Sequence, residues 1–173
     1  MSQDDTREPV INVEEALELE DLEGEHYGAR YKILTPSMRP RGGSLGVNYL
    51  RVPPGRTACP FHAHQREDEV FFVLSGRGTL RYGDQLRSLR AGDCVSCPAG
   101  TGIAHQIFND SDEELVYLAI GPYDPHEVCT YPDSDKVLVR SLGAVGRLTE
   151  TAYTDGEDGR PRVLELIEQR DEE

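Results

Sequence analysis

Between residues 45 and 121 the chain alternates short apolar runs with glycine- and proline-bearing breaks. The runs LGVNYLRV (45–52), DEVFFVL (68–74), GTLRYG (78–83), QLRSL (85–89), DCVSC (93–97), HQIFN (105–109) and ELVYLAIG (114–121) are rich in Val, Ile, Leu, Phe and Tyr. They are too short for helices and predict strands. PPG (53–55), SGRG (75–78), GD (83–84), RAGD (90–93), PAGTG (98–102) and NDSDE (109–113) supply the turns. Many short strands with no long helix between them predict an all-β sandwich or barrel of the jelly-roll kind. In the run 68–74, Glu69, Phe71 and Val73 share one face, and Val70, Phe72 and Leu74 share the other. Both faces are apolar, so both are expected to be covered. One lines the barrel, and the other meets a terminal segment or a second copy, which makes a homodimer the expected assembly.

The flanks are less patterned. Residues 1–25 are acidic, and Asn12 with Glu15 has capping-box spacing for a short helix across VEEALELEDL; an acidic tail is the alternative. The expected organisation is an N-terminal extension over 1–25, a barrel domain over 26–145 and a C-terminal extension over 146–173. VLELI (163–167) predicts an edge strand or a terminal helix, after a loop at 155–161. The turn-rich segment PYDPHEVCTYPDSDKVLVR (122–140) is expected to wrap the barrel in a structural role.

Charge narrows the partners. The 173 residues hold 18 Lys plus Arg against 32 Asp plus Glu, a net charge of −14. Such a surface repels phosphate backbones and anionic lipid, which argues against nucleic acid and membrane. No run approaches the roughly 20 apolar residues of a membrane span. MSQDDTREP lacks the basic-then-apolar pattern of a leader, so a cytoplasmic location is expected. The cysteines Cys59, Cys94, Cys97 and Cys129 are expected to be thiols acting as small buried apolar residues. Cys94 and Cys97 are three apart on a strand, point to opposite faces and cannot share an ion.

The candidate chemistry lies in CPFHAHQREDEVFF (59–72). His62 and His64 lie two apart, on one face of a strand. Neutral imidazoles facing a barrel interior suit one divalent ion. Glu69 shares parity with Phe71 and Val73 and is the best inward carboxylate. Glu67 has the same parity but lies nearer the turn and is expected to be solvated, whereas Asp68 faces away. Cys59, three before His62, is also expected to face away. His105 opens a strand after a glycine-rich loop, with Ile107 and Asn109 on its face. Phe71, Val73, Ile107 and Asn109 are the expected pocket lining. His26 and His126 have no comparable setting and are read as surface or packing residues.

These residues resemble the cupins. The family's first motif is matched by Gly55-RTACPF-His62-Ala-His64-QRED-Glu69-VFFVLS-Gly76, with six residues rather than five between Gly55 and His62. The second is matched by Gly92-DCVSC-Pro98-Ala-Gly100-TGIA-His105-QIF-Asn109, with four residues rather than two before His105; alternatively Gly102 takes the place of Gly100. The resemblance implies a double-stranded β-helix, or jelly-roll barrel, with irregular N- and C-terminal extensions. It implies one divalent transition metal (Zn, Mn, Fe or Ni) on His62, His64, Glu69 and His105. Gly55, Gly76, Gly92, Pro98 and Gly100 would be structural.

Such a ligand set leaves open coordination positions, the mark of a site that acts on a small molecule. The chain is similar to small single-domain cupins described as sugar-phosphate isomerase-like, which implies a Lewis-acid isomerase. A metal-dependent dioxygenase of a chelating substrate is the alternative, and a non-catalytic small-molecule or metal-binding module is a third. The strand GTLRYG separates them: Thr79 and Arg81 pointing inward favour an anionic substrate, whereas Leu80 and Tyr82 inward favour an apolar, oxidisable one. Arg51 and Arg66 are further candidates for a phosphate contact.

Overall fold

The computed structural model describes residues 9–41, 45–157 and 159–171. Its strands are β1 (Glu18–Glu23), β2 (Tyr27–Ile33), β3 (Gly46–Val52), β4 (Ala63–His64), β5 (Glu69–Ser75), β6 (Arg77–Tyr82), β7 (Gln85–Arg90), β8 (Cys94–Cys97), β9 (His105–Phe108), β10 (Leu115–Gly121), β11 (Val128–Tyr131), β12 (Lys136–Val139) and β13 (Ala144–Gly146). One α-helix, α1 (Arg162–Asp171), follows. The fold is the expected all-β jelly roll, built from antiparallel pairs. Among the described residues no helix is long and apolar enough to cross a membrane.

One sheet runs β1-β2-β3-β10-β5-β8; β7-β6-β9 packs against it through Leu80, Leu89 and Ile107, and a third group runs β13-β12-β11-β4. The last two meet where His62 and His105 form an antiparallel bridge, with His62 N donating to His105 O (3.1 Å) and His105 N donating to His62 O (2.8 Å). Between the sheets lies a core of Val52, Phe71, Val73, Leu80, Leu89, Val95, Cys97, Ile107, Leu115 and Tyr117. Period-2 alternation puts these side chains inward, and each apolar side chain so buried stabilises the fold by about 1.5–3 kcal/mol.

Gly76 shows why the turn after β5 requires glycine. Its φ is +79°, and a Cβ there would lie 2.4 Å from the Glu114 carbonyl oxygen. No L side chain could fit without moving β10.

Several expectations change. Asn12 does cap locally, its Oδ1 accepting from Glu14 N (2.9 Å), but the helix across VEEALELEDL is replaced by a turn and then β1. Pairing explains this: Glu20 bonds Arg30 on β2 (2.8 Å), and Glu18 bonds Arg51 on β3 (2.9 Å), so cross-strand charge pairs override helix propensity. VLELI falls within α1, no residue of which is buried. The outer face of β5 is open within the chain, with Phe72 38 % and Leu74 41 % exposed. Cys97 and Cys129 are buried as expected, but Cys59 and Cys94 are not.

Candidate metal centre

His62 just before β4, His64 at its end, Glu69 at the start of β5 and His105 at the start of β9 come together. The Nε2 atoms of His105, His64 and His62 lie 2.9, 3.2 and 3.7 Å from Glu69 Oε2. Ligand atoms of His62, His64, Glu69 and His105 all fall within 4.8 Å of one another, a group that could hold a metal ion. Register explains the convergence. Glu69 opens β5 opposite Cys97, His105 opens β9 opposite Tyr82, and the backbone bridge ties His62 to His105. Gly100 N donates to His64 O (2.9 Å), so the glycine-rich loop braces β4.

The donor set suits a divalent ion. His62 Nδ1 donates to Pro60 O (2.7 Å), which leaves its Nε2 lone pair facing the cluster. Both ring nitrogens of His64 are buried and have no hydrogen-bond partner. Unsatisfied buried nitrogens of this kind are what a bound cation would satisfy. Burial opposes charge on Glu69, but the hydrogen bond with His105 (2.9 Å) and the close His62 and His64 rings together outweigh it and hold the carboxyl well below the usual range. Burial alone would lower His64, yet Glu69, Glu127 and Glu67 together raise it. At His105 burial prevails and the value falls.

A second layer lies behind His64. Glu67 is not solvated: it is 4 % exposed, accepts from Asp124 N (2.5 Å) and pairs with Arg140. Its Oε2 lies 3.6 Å from His64 Nδ1. Glu127 is fully buried, with Oε1 3.4 Å from the same nitrogen. Sequence reasoning missed Glu127 and Arg140, which lie in the wrapping segment 122–140. The available signal was an acid directly before an apolar run, as Glu127 precedes VCTY and Glu69 precedes VFFVL.

The cluster borders a cavity of about 200 Å³ lined by Tyr31, Asn48, Leu50, Phe71, Ile107 and Tyr117, among others. Phe71 and Ile107 are where the strand pattern puts them. Val73 and Asn109 are not cavity residues: Val73 is fully buried in the core, and Asn109 staples a turn. Cys59 lines the cavity rather than facing away, because residues 58–61 form a loop in which strand parity does not apply. Leu80 and Tyr82 point inward. Arg81 turns out to pair with Asp133 (2.6 Å), Arg66 pairs with Asp124 (2.6 Å) and Arg51 pairs with Glu114 (2.8 Å). No Lys or Arg lines the cavity among the described residues. His26 and His126 are exposed.

The model of the Cupin domain family matches residues 48–121. The chain is 30 % identical over 71 residues to an oxalate-binding protein of Thermotoga maritima, a match covering 41 % of this chain and 56 % of that protein. It therefore spans little more than half the length of that relative. An uncharacterized protein of Streptomyces coelicolor is 31 % identical over 107 residues, 62 % of this chain and 95 % of the relative. Among solved structures, a sugar phosphate isomerase from a cupin superfamily of Silicibacter pomeroyi superposes with a TM-score of 0.70 at 25 % identity, over 88 % of this chain and 96 % of that one.

Proposed function

Because the chain belongs to the cupin family, we propose that it holds one divalent transition metal on His62, His64, Glu69 and His105 and uses it to oxidise a small organic molecule that chelates through oxygen. The observation that carries this reading is the character of the cavity: a His₃Glu cluster beside apolar walls, with no basic side chain lining it among the described residues. A phosphate would call for Arg or Lys, and the candidate arginines are engaged elsewhere. Proton-transfer isomerisation would need a base beside the substrate. Outside the cluster, the titratable groups that line the cavity among the described residues are Tyr31, Cys59 and Tyr117. Phenols and thiols are ordinarily protonated at neutral pH, and burial pushes Tyr117 further up. None is a ready base.

The chain's own residues then have distinct tasks. The three imidazoles and Glu69 hold the ion. Leu50, Phe71 and Ile107 exclude water and seat the apolar body of the substrate, while Asn48 and Tyr31 offer polar groups to orient it. The ion itself would supply Lewis acidity and one-electron chemistry. A cavity of about 200 Å³ is smaller than a drug-sized site, which limits the substrate to a compact molecule.

A second reading, a Lewis-acid isomerase, is favoured by the likeness to the Silicibacter pomeroyi sugar phosphate isomerase. Oxygen uptake separates the two. The iron(II)-loaded protein is expected to consume oxygen with catechols or β-diketones and to leave sugar phosphates unchanged. Turnover of a sugar phosphate by the zinc or manganese form, without oxygen uptake, would establish the isomerase instead. Tight oxalate binding with neither activity would favour a binding module.

A further inference from the structure

We propose that Glu127, supported by the Glu67–Arg140 ion pair, is a positioning residue that takes the Nδ1–H of His64 and so directs the Nε2 lone pair to the ion. The inference rests on the metal-centre reading above. Glu127 is fully buried. Its Oε1 accepts from Gln65 N (2.8 Å) and its Oε2 from Arg66 N (3.0 Å). A buried carboxylate is stable only when its oxygens are supplied with donors or a cation. Arg140 is spent on Glu67, to which it donates through both terminal nitrogens, and on Asp124 O (2.7 Å). The remaining donor facing Glu127 is the His64 ring, whose Nδ1 lies 3.4 Å from Oε1, with Glu67 Oε2 at 3.6 Å.

An imidazole that carries its proton on Nδ1 presents a lone pair at Nε2. That atom of His64 lies 3.2 Å from Glu69 Oε2, on the cluster side. The arrangement parallels His62, where Pro60 O performs the same service at 2.7 Å. The acceptor at His64 is charged, which makes the ring a stronger donor to a metal. His64, Glu67 and Glu127 also form a compact group of possible ligands. The Arg140 pairing and the two backbone donors already occupy those carboxylate oxygens, so the geometry points to support of His64 rather than to a second ion. The segment 122–140 thereby becomes part of the centre, through Glu127 and Arg140.

Zinc affinity, read by competition with a chromophoric chelator, tests this. Wild type is expected to bind one zinc ion. Glu127→Gln is expected to bind it about 10- to 100-fold more weakly while keeping its circular dichroism, with partial recovery in Glu127→Asp. The ¹⁵N pattern of His64 in the zinc-loaded protein should show hydrogen on Nδ1 in wild type and a weakened Nδ1–H bond in the variant. Unchanged affinity in folded Glu127→Gln overturns the inference, as does a second zinc ion in wild type that the variant loses. If Glu127→Gln does not fold, the pair Glu67→Gln/Arg140→Gln, which removes both charges together, must weaken zinc binding about tenfold; wild-type affinity there overturns the proposal. A wild type that binds no zinc, manganese or iron defeats the metal-centre reading itself, a result distinct from equal binding by wild type and variants.

Discussion

At the scale of single residues, the acids of the first motif divide by what they touch. Glu69 faces three imidazoles, Glu67 is locked to Arg140, and Asp68 is exposed, accepting a hydrogen bond from Ala99 N (2.8 Å). Elemental analysis of purified protein is therefore expected to show metal in wild type and in Asp68→Ala. It should show none in His62→Ala/His105→Ala, and Glu69→Ala should lose more than about 100-fold in affinity. Equal metal content in wild type and the double variant would refute the ligand set. The four candidate ligands were legible because three sit at strand starts or on a short strand, where side-chain period and apolar parity declare the facing. Glu67 and Cys59 were misjudged because both lie outside the strands, where facing is set by tertiary contacts.

At the scale of elements, turns carry as much information as strands. Asn109 is fully buried, and its amide donates to Val52 O (2.8 Å) and Glu113 O (2.7 Å) while its oxygen accepts from Ser111 N (3.0 Å) and Ser111 Oγ (2.7 Å). It joins the end of β3 to the turn before β10. Asn109→Ala is expected to lower stability by about 3 kcal/mol in urea unfolding, without changing metal affinity of the folded fraction. A selective loss of metal affinity would return Asn109 to the cavity. The strands from 46 to 121 stand within a residue or two of their sequence positions, because each is short, alternating and closed by a turn. β1 was hidden because its residues are mostly charged and only Leu19 is half-buried; partners on β2 and β3 make it a strand. β11 to β13 were hidden for a related reason: they are short, and their pairing is with each other and with β4.

At the scale of the whole molecule, the barrel is closed by contacts between distant parts of the chain. Glu69 and His105 are 36 residues apart, Gln65 and Glu127 are 62, and Glu67 and Arg140 are 73. Each closure spends loop entropy before its contacts are made, which places such a topology among slow-folding β proteins. The support behind β4 is complete only when the segment 122–140 has docked, and the long separations of these contacts predict that this closure comes late. A bound ion should then leave the refolding limb of a chevron nearly unchanged and steepen kinetic protection on the unfolding limb, slowing unfolding by roughly the full change in stability. Stopped-flow refolding and unfolding with and without zinc measure this directly, and a refolding rate that rises with zinc would mean that the histidines gather early. On that order of closures the His62–His105 bridge, where two strand groups meet, is expected to act as a kinetic latch: what is fastened there would govern how long the native state lasts rather than how quickly it forms.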